Sequence, residues 1–506
     1  MTRRGLADLR TALAGLDPLP GELVRVREEV PARYGVTARY AGWAGTPAPP
    51  PTGPGPAVLF ERVTPGGGGA ARSVLIGLYG SRRRAAGLLG LTPGEMAHRL
   101  LDAVASPVAP TRVPAGRAQP RDVLAPDLTA LPVPVLTDED AGPYLTLGAV
   151  LATDPDTGVR NLSVHRMCVR GPDRLTIWMV PGRDLEAAHR AARRRGENLP
   201  VAIHVGLGPA LMLASCCPAS LVPADVDELA VAGALGGAPV ELTGCRTVDT
   251  DCVAHAEYVI EGELLADLAP ENPDGPSATP EFLGYQGRAH PSLPTVRVTG
   301  ITARDGAILQ TVSGPGHEQS VLLGFGMEAA VLGRLRRLGA PVKAVHCHTA
   351  GGGQLMVVVQ WRAKRSAADD RLVREAGVSV LEEFRMAKLV VSVDEDVDLE
   401  SDADLWWAMV TRLQADQDLA VLPDREGFPL DPTQSTSYSA TLSADGRTAK
   451  AHFDCTVPYA HRARFHRPRF TRPEPAPDRP PANRPAPDRA PPSRPAPVGA
   501  PANRVV

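Results

Sequence analysis

The segment RNLSVHRMCVRG spans residues 160–171, and its polar and apolar side chains alternate. In a straight strand successive side chains point to opposite faces, which puts Asn161, Ser163 and His165 on one face and Leu162, Val164 and Arg166 on the other. A site that uses both Asn161 and Arg166 therefore needs a bend, a bulge, or a ligand that wraps around the strand end. Similar runs surround this one: YLTLGAVLATD at 144–154, RLTIWMV at 174–180, PVELTG at 239–244 and TVRVTGITARDG at 295–306, separated by Gly, Pro and Asp turns. One helix is expected from Asp184 to Arg195, just before LPVAIHVGLGPALMLASCC. From about Leu124 to Arg304 the chain thus predicts a barrel or compact sheet, not a doubly wound parallel fold.

On either side helix and strand patterns alternate. Leu6, Leu9, Leu13 and Leu16 share one helical face near the N-terminus, and VLFERV and SVLIGLYG follow as strands between Pro- and Gly-rich loops. After Ser320, GMEAAVLGRLRRLG, VKAVHCHTA, GQLMVVVQWRA and KLVVSVDEDVDL predict a separate α/β region. The expected class is α+β. An N-terminal α/β domain covers 1–120, a central strand-rich domain 121–320 and a C-terminal α/β domain 321–465; a Pro/Arg-rich tail, 466–506, has too few apolar side chains to bury and is expected to be disordered.

At 506 residues two or three domains are the prior, and 43% apolar with 22% charged residues is ordinary for a globular protein. A formal charge of -3 and only 4% aromatics argue against nucleic acid as a partner. The longest apolar stretch, Val201 to Cys217, is too short and too interrupted for a membrane span. Seven cysteines without a regular framework fit reduced thiols, and a cytoplasmic enzyme is the expectation.

Generic catalytic patterns are missing: there is no G-x-S-x-G elbow, P-loop or H-E-x-x-H. DEDVD at 394–398 opens like a calcium loop but lacks its turn glycine and terminal Glu, and reads as a strand end before an acidic helix start. His346 and His348 share a strand face, with no further ligand cluster nearby in the sequence.

Six segments, in order, resemble the UbiD family of decarboxylases: LYGSRRRAAGLLG, AGPYLTLGAVLATDPDTGVRNLSVHRMCV, LPVAIHVGLGPALMLASCCP, DELAVAGALGGAPVEL with HAEYVIEGEL, WWAMVTRLQADQD and AKAHFDCTVP. The resemblance implies a central split β-barrel that binds prenylated FMN, flanked by the two α/β domains, the last of them an oligomerisation domain giving a homodimer or larger homo-oligomer. It implies non-oxidative, in principle reversible, decarboxylation of an unsaturated or aromatic acid, with the cofactor as covalent electron sink and a flavin prenyltransferase as its supplier. Residue by residue, Asn161, Ser163, Val164, His165 and Arg166 match the cofactor strand; Ser215, Cys216 and Cys217 match the region that holds phosphate and K⁺; and Lys388 resembles a phosphate lysine. Asn161 and Glu228 match ligands of Mn²⁺ or Mg²⁺, hard ions that suit oxygen donors. Arg166 matches the arginine between cofactor and carboxylate, and Glu281 the proton donor.

Two departures stand out. The acid loop reads DGPSATPEFLGY, so the family's first glutamate is replaced, most simply by Asp274. Where the family carries a histidine metal ligand, this chain has Pro181-Gly182-Arg183; Arg183 would then meet the phosphate directly and leave the metal weak or absent. An altered acid loop also keeps open a second reading, a UbiD-like flavin-binding or assembly subunit without turnover.

Overall fold

The computed structural model describes residues 8–44, 54–118, 121–314 and 316–468. At its centre six antiparallel strands close into a barrel, in the order Tyr258–Ala269, Leu199–Val205, Tyr144–Thr153, Arg160–Val169, Arg174–Ile177 and Leu293–Ala303, the last pairing back with the first. Asp122–Leu124 adds a seventh strand on the edge of Leu293–Ala303.

The alternation seen in the sequence is the packing rule of this barrel. Val150, Ala152, Met167, Val201 and Ile203 fill one apolar cluster with Tyr258, Ile260 and Val296, while Ala149, Leu151, Leu162 and Ala202 face a second cluster under the helices. Both faces of the wall are therefore buried, which explains why its strands are so apolar.

The flanking regions carry their own sheets. Leu23–Val26, Val30–Pro31, Ala57–Thr64 and Arg72–Ile76 form the N-terminal one, and Ile308–Gln310 returns after the barrel to pair in parallel with Arg72–Ile76. The helix Leu9–Leu16 buries Leu9, Leu13 and Leu16 as its spacing predicts, whereas Leu6 and most of the first Pro/Gly loop lie outside the described residues. The C-terminal sheet has the order Val342–Cys347, Met356–Trp361, Leu389–Asp394, Arg447–Cys455, Leu419–Glu426. The first compact unit runs to Ala460. Of the expected tail, everything beyond 468 lies outside the described residues. Among the described residues no helix is long and apolar enough to cross a membrane.

Local chemistry sets the elements around the site. Strand Leu199–Val205 turns at Gly206 (φ +78°), where a Cβ would come within 2.6 Å of the Glu257 side chain, so only glycine fits. Pro209 then opens the helix Pro209–Ser215 at a position where a missing N–H costs nothing. Asp227 caps the helix Glu228–Gly236 through the Ala230 N–H, and Gly237 ends it in the left-handed conformation. Every residue of that helix is buried, Glu228 included.

Candidate active site

A cavity enclosing about 1160 Å³ of non-protein space, partly open to solvent, lies between the barrel wall and the helices Pro209–Ser215, Glu228–Gly236 and His317–Arg337. Its lining includes Asn161, Ser163, Val164, His165 and Arg166, residues from both faces of strand Arg160–Val169. Beside it, the register with strand Tyr144–Thr153 slips between Leu145 and Gly148, so Thr146 and Leu147 together oppose Arg166 and join the same lining.

Arg166 sits at one end, held between two carboxylates. Its Nη1 donates to Glu281 Oε1; its Nε lies 3.2 Å from Glu271 Oε1, and its Nη2 donates to Glu271 Oε2 at 3.3 Å. Burial works against the charge, but Glu281 and Glu271 outweigh it and raise the guanidinium above its ordinary value. Glu271 is 1% exposed and also accepts from Tyr144 Oη and the His290 N–H, each at 3.1 Å. His290 stacks on Trp178 with ring centroids 4.0 Å apart, which ties the acid loop to the barrel.

This arrangement corrects the expectation for Asp274. Asn272 donates to Ser277 O and accepts from the Asp274 N–H, a tight turn that sends Asp274 into solvent. Glu271 takes the place beside Arg166 instead. Lys388 also departs from expectation and does not line the cavity. It starts strand Leu389–Asp394, where Asp431 at 2.6 Å and Thr433 at 2.8 Å hold its ammonium.

At the other end Glu228 accepts from Asn161 Nδ2 at 3.2 Å and from the Leu162 N–H at 2.8 Å. Burial pushes its carboxyl up to about 7; the backbone N–H groups of Leu162 and of Glu228 itself oppose this, and the charges of Asp184 and Asp227 add to it. His165 is pushed down to about 4 by burial, so it is neutral, and its Nδ1–H donates to the Trp178 carbonyl at 2.9 Å. Ser163 Oγ then stands 2.9 Å from His165 Nε2 and 2.7 Å from Asn161 Oδ1 with one proton for two acceptors. One of those acceptors is left for another donor or a cation.

The rim carries Arg183 and Asp184 together, at the start of helix Asp184–Arg194. The sequence reading weighed Arg183 and passed over its neighbour, although a carboxylate at a helix start near Glu228 is a possible metal donor. Ser215, Cys216 and Cys217 close the cavity floor; Ser215 donates to Met212 O at 2.8 Å, and burial pushes Cys216 up to about 12 and Cys217 higher still. Apolar walls come from Leu147, Val312, Leu322 and Leu323.

The remaining sequence candidates have structural roles. His348 is saturated, with Nδ1 accepting from the Ala350 N–H and Nε2 facing Asp402; His346 Nδ1 faces buried Glu328. Asp394 and Asp396 of the DEDVD run hold Arg412.

Five matches to known proteins bear on this site. The 3-octaprenyl-4-hydroxybenzoate carboxy-lyase (UbiD) family matches as an N-terminal domain over residues 19–104, a Rift-related domain over 112–317 and a C-terminal domain over 320–455. The gallate decarboxylase of Lactiplantibacillus plantarum is 34% identical, over 92% of this chain and 96% of its own. The apo 3,4-dihydroxybenzoic acid decarboxylase of Enterobacter cloacae superimposes with a TM-score of 0.86 at 38% identity, covering 92% of this chain and 98% of its own. The UbiD-class enzyme HmfF of Pelotomaculum thermopropionicum, in complex with FMN, gives 0.78 at 33% identity, covering 92% and 97%. An evolved dimeric form of HmfF, in complex with prFMN, gives 0.76 at 32%, again covering 92% and 97%.

Proposed function

The chain belongs to the UbiD family of carboxy-lyases, and from that premise we propose that it decarboxylates a hydroxylated aromatic acid with prenylated FMN in the cavity described above. The observation that carries the reading is the Glu271–Arg166–Glu281 row at one end of that cavity, opposite the oxygen donors of Asn161 and Glu228. The gallate and 3,4-dihydroxybenzoic acid decarboxylases support the substrate class, and the HmfF complexes support the cofactor.

When bound, the prenylated flavin supplies the electron sink that loss of CO₂ from an sp² carbon requires. The chain's own residues do the rest. Arg166 binds the substrate carboxylate, and its second carboxylate partner, Glu271, fixes its orientation. Glu281 is the acid placed to deliver a proton to the carbon that CO₂ has left. Leu147, Val312, Leu322 and Leu323 keep water from that carbon.

Oxygen donors at the phosphate end suit a hard divalent cation: buried Glu228 accepts from two neutral N–H groups, and an acceptor between Asn161 and His165 goes unserved. Asn161, Glu228 and Asp184 would hold Mn²⁺ or Mg²⁺, with Arg183 beside the phosphate. The Ser215–Cys217 turn, at a helix C-terminus whose carbonyls favour positive charge, would take K⁺. Glu271 beside Arg166 speaks against the alternative of a UbiD-like flavin-binding or assembly subunit without turnover, which the altered acid loop motivates. Trp406 and Val410, exposed on helix Asp402–Arg412, support a homo-oligomer, to be checked by sedimentation.

Co-expression with a flavin prenyltransferase tests the proposal. A modified-flavin absorption band and CO₂ release from gallate or 3,4-dihydroxybenzoate are expected; neither appearing would overturn it.

A further inference from the structure

Two of the seven cysteines face each other across the hairpin that joins strand Glu241–Gly244 to strand Asp251–Val253. Thr243 lies opposite Cys252, and the Cys245 N–H donates to Thr250 O at 2.9 Å. Cys245 is two residues beyond Thr243, so by the period of two both thiols rise from one face of the hairpin. There each thiol is the other's strongest electrostatic neighbour.

The surroundings of Cys252 are electropositive. Arg121 Nη2 stands 3.3 Å from its Sγ while Nη1 donates to Val253 O at 3.0 Å. His204 lies beside the sulfur with both ring nitrogens engaged, Nε2 accepting from the Val253 N–H at 2.9 Å and Nδ1 donating to Ala149 O at 3.1 Å. The neighbouring Cys245 thiol and the Arg121 guanidinium hold the Cys252 thiol below its ordinary value against the opposing effect of burial. Cys245 is raised by its neighbour Cys252 and by burial, with Glu261 adding to it. Cys252 is 1% exposed, whereas Cys245 is half-buried and is the thiol of the pair that reaches the surface. The remaining thiols lack this setting: burial raises Cys168, Cys216, Cys217, Cys347 and Cys455.

We propose that Cys245 and Cys252 form a dithiol that hydrogen peroxide closes to a disulfide, a modification site separate from the decarboxylase cavity. The thiolate is the reactive form of cysteine. Cys252 attacks one peroxide oxygen: an S–O bond forms, the O–O bond breaks, and the departing hydroxide takes the Cys245 proton to become water. Cys245, now a thiolate, attacks the Cys252 sulfenic acid. The S–S bond forms, the S–O bond breaks, and a second hydroxide leaves and is protonated to water. Two sulfurs lose two electrons in all, and one peroxide becomes two waters.

The test is peptide mapping of the folded, flavin-loaded protein after graded peroxide, with free thiols alkylated first. A Cys245–Cys252 linked peptide is expected. Cys245→Ser should lose it and leave a sulfenic acid on Cys252 that a cyclic 1,3-dione traps. Arg121→Gln should slow closure roughly tenfold, the effect of about one pH unit on a thiolate population. If both thiols alkylate fully after peroxide, if Cys216 and Cys217 pair instead, or if Arg121→Gln closes at the parental rate, the proposal fails. Cys245 is partly exposed, so its serine variant keeps the test decisive even where a change at buried Cys252 unfolds the chain.

Discussion

Glu271→Gln and Asp274→Asn, made side by side, separate the acid that the fold brings to Arg166 from the acid that motif spacing suggests. Glutamine keeps the size of Glu271 and removes its charge, and one of its two ends becomes an amide donor. That donor must face Arg166, Tyr144 Oη or the His290 N–H, all of which are donors to Glu271. A hydrogen bond to a charged group is worth about 1.5–3 kcal/mol. At 1.36 kcal/mol per tenfold, kcat/KM should fall roughly 10- to 150-fold if Arg166 loses that much of its orientation. Asp274 is exposed and its neutralisation should change kcat/KM less than about twofold. The assay is CO₂ release from 3,4-dihydroxybenzoate by the prenylated-flavin form, with flavin content measured in each variant. If Asp274→Asn lowered kcat/KM more than Glu271→Gln did, the assignment of the acid row would be wrong.

Three further outcomes follow from the same geometry. Glu281→Gln should lower kcat about 10²–10⁴-fold, the range for a general acid, while flavin absorption stays at the parental level; a variant with near-parental kcat would remove Glu281 from the proton step. Glu228 and Glu318 are both raised to about 7 from 4.5 by burial, so between those pH values the folded chain keeps protons that the unfolded chain has released. Stability of the cofactor-free protein should therefore fall as pH rises from 4.5 through 7, by up to about 3 kcal/mol per group. Thermal denaturation across that window checks the sign, and Mn²⁺ should recover the Glu228 share at pH 7. Asp184→Asn should weaken Mn²⁺ binding to the flavin-free protein at least about tenfold by calorimetry, and unchanged affinity would exclude Asp184 as a donor.

The barrel was legible because its evidence is local. Strands such as Tyr144–Thr153 and Leu199–Val205 are short apolar runs in consecutive residues, and the turn chemistry around 154–158 and 206–209 is written beside them. Asn161, Arg166, Glu228 and Glu281 were legible through the resemblance, and they do converge on one cavity. Glu271 was not, because its partner Arg166 is 105 positions away and its direction is set by the folding of the acid loop, where Ser277 pairs with Arg288 and the Glu271 N–H donates to His290 O. Counting back from Glu281 picked the nearest acid and missed the turn made by Asn272, which decides which acid points inward. Lys388 failed for the same reason in reverse: Asp431, 43 positions on, claims its ammonium. Asp184 was hidden by its neighbour, since the expected histidine was sought at one position and the helix start offers its carboxylate at the next.

Trp178 is one of five tryptophans in the chain, and its indole both lines the cavity and lies flat on His290. That makes it an optical reporter built into the wall. Its emission should respond when a flavin occupies the space beside it, through energy transfer, and again when His290 gains a proton and draws electron density from the excited ring. A titration followed at that wavelength would register occupancy of the cavity before any CO₂ is released.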